Sequence, residues 1–284
     1  MFSQPLRYAI AAAAVLFSAA CGRSNRRSAA ASATPVALAT EHFTLTSSAA
    51  IDSTTLRAML VFLEQHRNRV INDLEATTVG TIHIEIQSKP IFDSTWKKLI
   101  DSVGLGFQPQ GLTGSDGTIY IYGPWAESHT GKPLGTVALH EFAHAVTKRS
   151  AVEHVAASGR DTLAFLASLG AIGQRTRWLS EAIALYEAGQ STDLNHFGYL
   201  IRGKYPSIET LNDPANSQIY DIGYRLAEYV VNTWGRDALV RLVNDDGNVQ
   251  AALGVTPDVL MRGWFLHIED RYLLIKPRWF TRGM

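Results

Sequence analysis

The pentapeptide His140-Glu141-Phe142-Ala143-His144 constrains this chain more than any other feature, because it sets two imidazoles and a carboxylate inside the apolar run Val137–Val146. Residues four apart lie on one face of an α-helix, so both imidazoles can reach a single ion. Glu141 follows its histidine by one position, a step of about 100° around the helix, which puts its carboxylate beside that ion. The flanking residues from Gly135 read as a helix that is apolar nearly all round, where unpaired histidines and a glutamate are costly to bury. Metal ligation answers that cost, and H-E-x-x-H is the zinc-hydrolase spacing, with the glutamate free to act as a base. The competing arrangement is two core histidines bonded to backbone carbonyls beside a salt-bridged glutamate.

A tetrahedral catalytic zinc site takes three protein ligands and leaves the fourth position open. An extended pattern with a glycine and a third histidine close behind would place them at Thr147 and Ser150, which carry neither. Spacing alone leaves two candidates for the third ligand. One is His154, and the other is Glu181, within the amphipathic stretch Trp178–Glu187.

H-E-x-x-H followed by Trp178-Leu179-Ser180-Glu181-Ala182-Ile183-Ala184-Leu185-Tyr186 resembles the gluzincin metallopeptidases of the peptidase-MA-like group, which include the zinc aminopeptidases. Their second motif reads W-L-x-E-G-x-A-x-Y. Trp178, Leu179, Glu181, Ala184 and Tyr186 match it; Ala182 replaces the glycine, and the acidic residue usual seven positions later is displaced to Glu187. The resemblance implies an α+β, zincin-like fold, with a small mixed sheet and the H-E-x-x-H helix in an N-terminal lobe and a mostly helical C-terminal lobe. It also implies Zn²⁺ held by His140, His144 and Glu181, Glu141 as catalytic base, and a peptide or protein substrate. In the aminopeptidases a tyrosine on a later helix donates to the oxyanion, which makes Tyr220 the first candidate for that role and Tyr224 the second. The interval from His144 to Glu181 is longer than in those enzymes and their amino-terminal substrate motif is not evident, so their specificity does not carry over. Trp178 and Tyr186 read as core packing.

Periodicity supplies the surrounding elements. Asp52 or Ser53 caps a helix running to about Glu75, Thr81–Gln87 alternates as a half-buried strand, and a helix follows over about Phe92–Ser102. Gly111–Gly117 reads as a loop. Thr118–Tyr122 reads as a strand entering the metal-binding helix through Gly123-Pro124, and the resemblance to these proteases implies that it forms the cleft's edge. Further helices are expected near 161–170, 176–188, 216–234, 236–244 and 256–274.

At the chain's start, Arg7 precedes the apolar stretch Tyr8–Ala20, which is too short to span a bilayer but suits an export signal. The signal ends in Ser18-Ala19-Ala20-Cys21, similar to a bacterial lipobox, so 1–21 is expected to direct the protein to the cell envelope, with a lipid anchor on Cys21. Residues 22–40 read as a flexible linker and 41–284 as the metallopeptidase-like domain. Cys21 is the only cysteine, so no intramolecular disulfide holds the fold. The 26 basic and 26 acidic side chains cancel, and the chain shows no basic run interleaved with aromatics, so nucleic acid is not expected as a partner. The competing functional expectation is an envelope lipoprotein that keeps the fold as a binding or assembly module.

Overall fold

Period-two alternation builds the sheet. The computed structural model describes residues 35–275 except 103, 106 and 107. Its strands are β1 (Val36–Ala39), β2 (Phe43–Ser47), β3 (Ile82–Gln87), β4 (Gly111–Thr113) and β5 (Ile119–Tyr122). They lie in the order β1-β2-β3-β5-β4. β2, β3 and β5 run parallel, and β1 and β4 close the two edges in antiparallel pairing. Phe43, Leu45, Ile84, Ile86, Ile119 and Ile121 are buried on one face. Tyr120 and Tyr122 turn to the other, where their rings meet Trp96 and Phe92 of α2 (Lys89–Ser102).

α1 (Ser53–Asp73) connects β2 to β3. The Asp52 carboxylate accepts from the N–H groups of Thr54 and Thr55 at 2.9 Å, satisfying donors that the first turn leaves unpaired. Leu56, Leu60, Leu63 and Val70 recur at helical spacing and are buried. After β5 come the short α3 (Gly123–Ser128) and the long α4 (Lys132–Ala157), which has Pro133 in its first turn. α4 packs on the sheet, with the Phe142 ring 5.4 Å from that of Phe43, and also against α1. Its far side meets α6 (Arg177–Glu187), reached through α5 (Thr162–Arg175). The remaining helices are α7 (Gly198–Ile201), α8 (Ile208–Asn212), α9 (Gln218–Trp234), α10 (Asp237–Asn244), α11 (Val249–Leu253) and α12 (Pro257–Arg271). Sheet and helices share one apolar core, with Trp178 and Trp264 among its largest buried side chains.

α9 packs closely on α6. A Cβ on Gly223 would stand 2.7 Å from Leu185 Cδ1 and 3.3 Å from Ala182 Cα. The missing side chain lets α9 settle onto α6 beside Glu181, one turn from Tyr220.

Three expectations need correction. The cleft-side edge is β4 and not Thr118–Tyr122: β5 is an interior strand, paired on both sides. A three-residue strand opening on glycine is too short to show alternation, which is why Gly111–Gly117 reads as a loop. β1 falls within the stretch read as a linker, so that reading does not hold over 36–39, where Val36 and Leu38 pack against the core. Finally, α3 separates β5 from the H-E-x-x-H helix, so Gly123-Pro124 opens a short helix of its own. The segment expected to be an export signal and the expected anchor site Cys21 lie outside the described residues. Among the described residues no helix is long and apolar enough to cross a membrane.

Candidate metal centre

α4 and α6 bring three ligand atoms together. His140 and His144 project from α4 one turn apart with their Nε2 atoms separated by 3.1 Å. Glu181 reaches in from α6, its Oε2 lying 3.3 Å from His140 Nε2 and 3.7 Å from His144 Nε2. These atoms all fall within 4.8 Å of one another, a group able to hold a metal ion. His154, the alternative third ligand, is exposed in the last turn of α4 and takes no part.

The donor set fits a cation. Nδ1 of His140 lies 2.9 Å from Gln190 Oε1, an atom that can only accept, so Nδ1 carries a hydrogen and Nε2 is the atom that faces the centre, offering a lone pair whenever the ring is neutral. Nδ1 of His144 meets Ser180 Oγ at 2.9 Å. Such partners behind a ligating imidazole fix its ring and tautomer. Glu181 Oε2 is buried without a hydrogen bond. A lone pair and a carboxylate oxygen converging in a buried site repel each other unless a positive charge sits between them.

The electrostatics favour positive charge at this place, whether a proton on His140 or a metal ion. Burial opposes ionisation of Glu181, but the His140 and His144 imidazoles outweigh it and hold the carboxyl well below the usual carboxylate range. Burial likewise opposes protonation of His140, yet Glu181, then Glu141 and Gln190, raise its pKa above the ordinary value. The polypeptide has thus arranged negative potential where a cation would sit.

Glu141 is buried beside the group. Its side chain lies against β4, where Thr113 Oγ1 is 2.8 Å from Glu141 Oε2. Tyr220, from α9, lines the same cleft. Burial and the charge of Glu181 push its hydroxyl well above the ordinary tyrosine range, with Arg177 opposing, so it stays protonated and able to donate at neutral pH. Tyr224 does not line the cleft; its ring packs 5.5 Å from Tyr186 and Arg225 lies over it. Trp178 is buried and Tyr186 packs against the core, in keeping with their reading as packing residues.

The cleft has a volume of about 850 Å³. Leu112, Val137, Phe165, Ile172, Leu179 and Val243 give it mainly apolar walls around the polar centre. That combination suits a ligand whose apolar parts are buried against the walls and whose polar group meets the centre.

Sequence reading missed the supporting residues Ser180, Gln190 and Thr113. Ser180 stands beside Glu181 inside the second motif, a signal that was available. Gln190 and Thr113 come from a helix exit and a three-residue strand, and no local pattern marks either. A scan against models of known protein families gives no match to this chain, and a search of curated proteins finds none with significant similarity.

Proposed function

We propose that this chain is a zinc-dependent peptidase with a gluzincin-like site, exported to the bacterial cell envelope and acting there on peptide or protein substrates. The observation that carries the reading is the convergence of His140, His144 and Glu181 in the wall of a large cleft, with Glu141 alongside. Among the described residues the group numbers three and not four, which suits a catalytic site with an open position rather than a closed structural one. A zinc ion held there would lower the pKa of water toward neutrality and polarise the scissile carbonyl. Glu141 would take the proton of the attacking water and deliver it to the leaving amine. The Tyr220 hydroxyl would donate to the developing oxyanion. A pure binding module, the competing reading, has no use for a carboxylate next to an open coordination position. The envelope assignment rests on the signal-like segment 1–21 and its lipobox-like end at Cys21.

Incubating the zinc-loaded full chain with a mixed peptide library, with products read by mass spectrometry, tests the activity. Wild type is expected to cleave, and Glu141→Gln, with its zinc intact, to lose at least about a thousandfold in rate. Undiminished cleavage by Glu141→Gln would remove the assigned base and with it this mechanism.

A further inference from the structure

β4 grips the base as well as bordering the cleft. Thr113 Oγ1 lies 2.8 Å from Glu141 Oε2 and 2.9 Å from the Glu141 main-chain oxygen. Both facing atoms are acceptors and the hydroxyl has one hydrogen, which it donates to one or shares between the two. Two residues earlier, a Cβ on Gly111 would stand 2.8 Å from Glu141 Cγ and 2.8 Å from Glu141 Oε1. Glycine therefore leaves the space in which the glutamate side chain lies. The strand is tied in turn to α4, because Lys148 Nζ donates to the carbonyls of Gly114 at 2.9 Å and Thr113 at 3.3 Å. Lys148 follows His144 by one turn, so strand and base are fastened to the same stretch of helix.

We propose that Thr113 is a positioning residue for Glu141: with Gly111 and Lys148 it makes β4 a cradle that holds the carboxylate in a single orientation. Glu141 has three side-chain torsions, and a base that wanders among rotamers spends little time in line with its proton. A hydrogen bond to one carboxylate oxygen selects a rotamer and leaves the other oxygen for chemistry. The kinetic consequence rests on the peptidase reading; the geometric consequence does not.

The experiment compares full-chain wild type, Thr113→Val, Thr113→Ser and Gly111→Ala by zinc content, by kcat and KM on a peptide that wild type cleaves, and by crystal structure. Zinc content is expected to be equal in all four. Thr113→Val is expected to lower kcat about tenfold to a hundredfold at little-changed KM, the loss of one hydrogen bond to a charged group. Thr113→Ser should recover most of that rate, and Gly111→Ala should displace the Glu141 side chain and lower kcat similarly. In the crystals, wild type and Thr113→Ser should hold Glu141 in one conformer, and Thr113→Val should spread it over several. A Thr113→Val protein with wild-type kcat and a single Glu141 conformer overturns the proposal, as does a Thr113→Ser protein as impaired as the valine variant. If wild type cleaves nothing, the peptidase reading fails by itself, and the Glu141 conformers still decide the positioning role. If Thr113→Val does not fold, the serine and Gly111→Ala variants decide it by the same measurements.

Discussion

Glu181 and Glu187 stand on one helix, both shielded from water, and their carboxyls are driven in opposite directions. The Glu181 side chain is 15% exposed and that of Glu187 0%. Burial disfavours the charge of each. Glu181 is answered by two imidazoles that are themselves shielded, and it is held ionised. Glu187 has Arg69 Nη1 at 2.6 Å, but the Arg69 side chain is 41% exposed and the like charge of Asp73 stands nearby. Burial therefore prevails over Arg69, and the Glu187 carboxyl is pushed up to about 7. Each glutamate also keeps a buried oxygen without a hydrogen bond, Oε2 in Glu181 and Oε1 in Glu187. In Glu181 that oxygen faces two imidazole nitrogens; Glu187 is tied to α1, where Arg69 also donates to its main-chain oxygen at 2.5 Å. Burial and an ion-pair distance thus do not distinguish a candidate ligand from a tie. The number, shielding and direction of the opposing groups do.

The largest expected difference separates the two by substitution. Glu181→Ala should weaken zinc binding by more than the roughly hundredfold ceiling associated with a ligand's hydrogen-bonding partner, and should abolish cleavage. Glu187→Gln should leave zinc affinity within about twofold of wild type, and a titration of each protein with zinc against a competing chelator reads both.

The second difference lies in pH. The Glu187 pKa in the fold, about 7, is above its ordinary 4.5, so its contribution favours folding fully below the lower value and is lost as pH rises through the upper one. The amount at stake is on the order of 3 kcal/mol. Thermal melts of the metal-free protein from pH 5 to pH 8 should fall more steeply for wild type than for Glu187→Gln; parallel profiles would show that Arg69 keeps Glu187 ionised throughout.

The smallest concerns the groups behind the imidazoles. Gln190→Leu leaves the His140 Nδ1–H without its acceptor and should cost about tenfold to a hundredfold in zinc affinity, measured by the same chelator competition. An unchanged affinity would show that the ring is held by packing alone.

What was legible in the sequence follows from how locally each feature is encoded. H-E-x-x-H and the Trp178–Tyr186 motif each sit within a few turns of one helix, so the ligand types and their spacing could be read directly, and α1, α6, α9 and β3 announce themselves by period. The α+β class follows from the same patterns. β1 was not legible because Val36–Ala39 lies in a stretch of alanine, serine and threonine, whereas Phe43-Thr44-Leu45-Thr46 of β2 does alternate with period two and was overlooked for its shortness. β4 was read as a loop because three residues carry no period, although its pairing with β5 is what brings Thr113 to Glu141. The motif singled out Glu181, but the tie of Glu187 to Arg69 was hidden, because it joins α6 to α1 across a long stretch of sequence.

Whether His140, His144 and Glu181 bind zinc is decided by elemental analysis of the purified full chain, as wild type, Glu141→Gln and Glu181→Ala, after dialysis against buffered micromolar zinc. One equivalent is expected in wild type and in Glu141→Gln, and a marked loss in Glu181→Ala. Folded wild type without zinc, or Glu181→Ala retaining a full equivalent, would contradict zinc binding by these three residues.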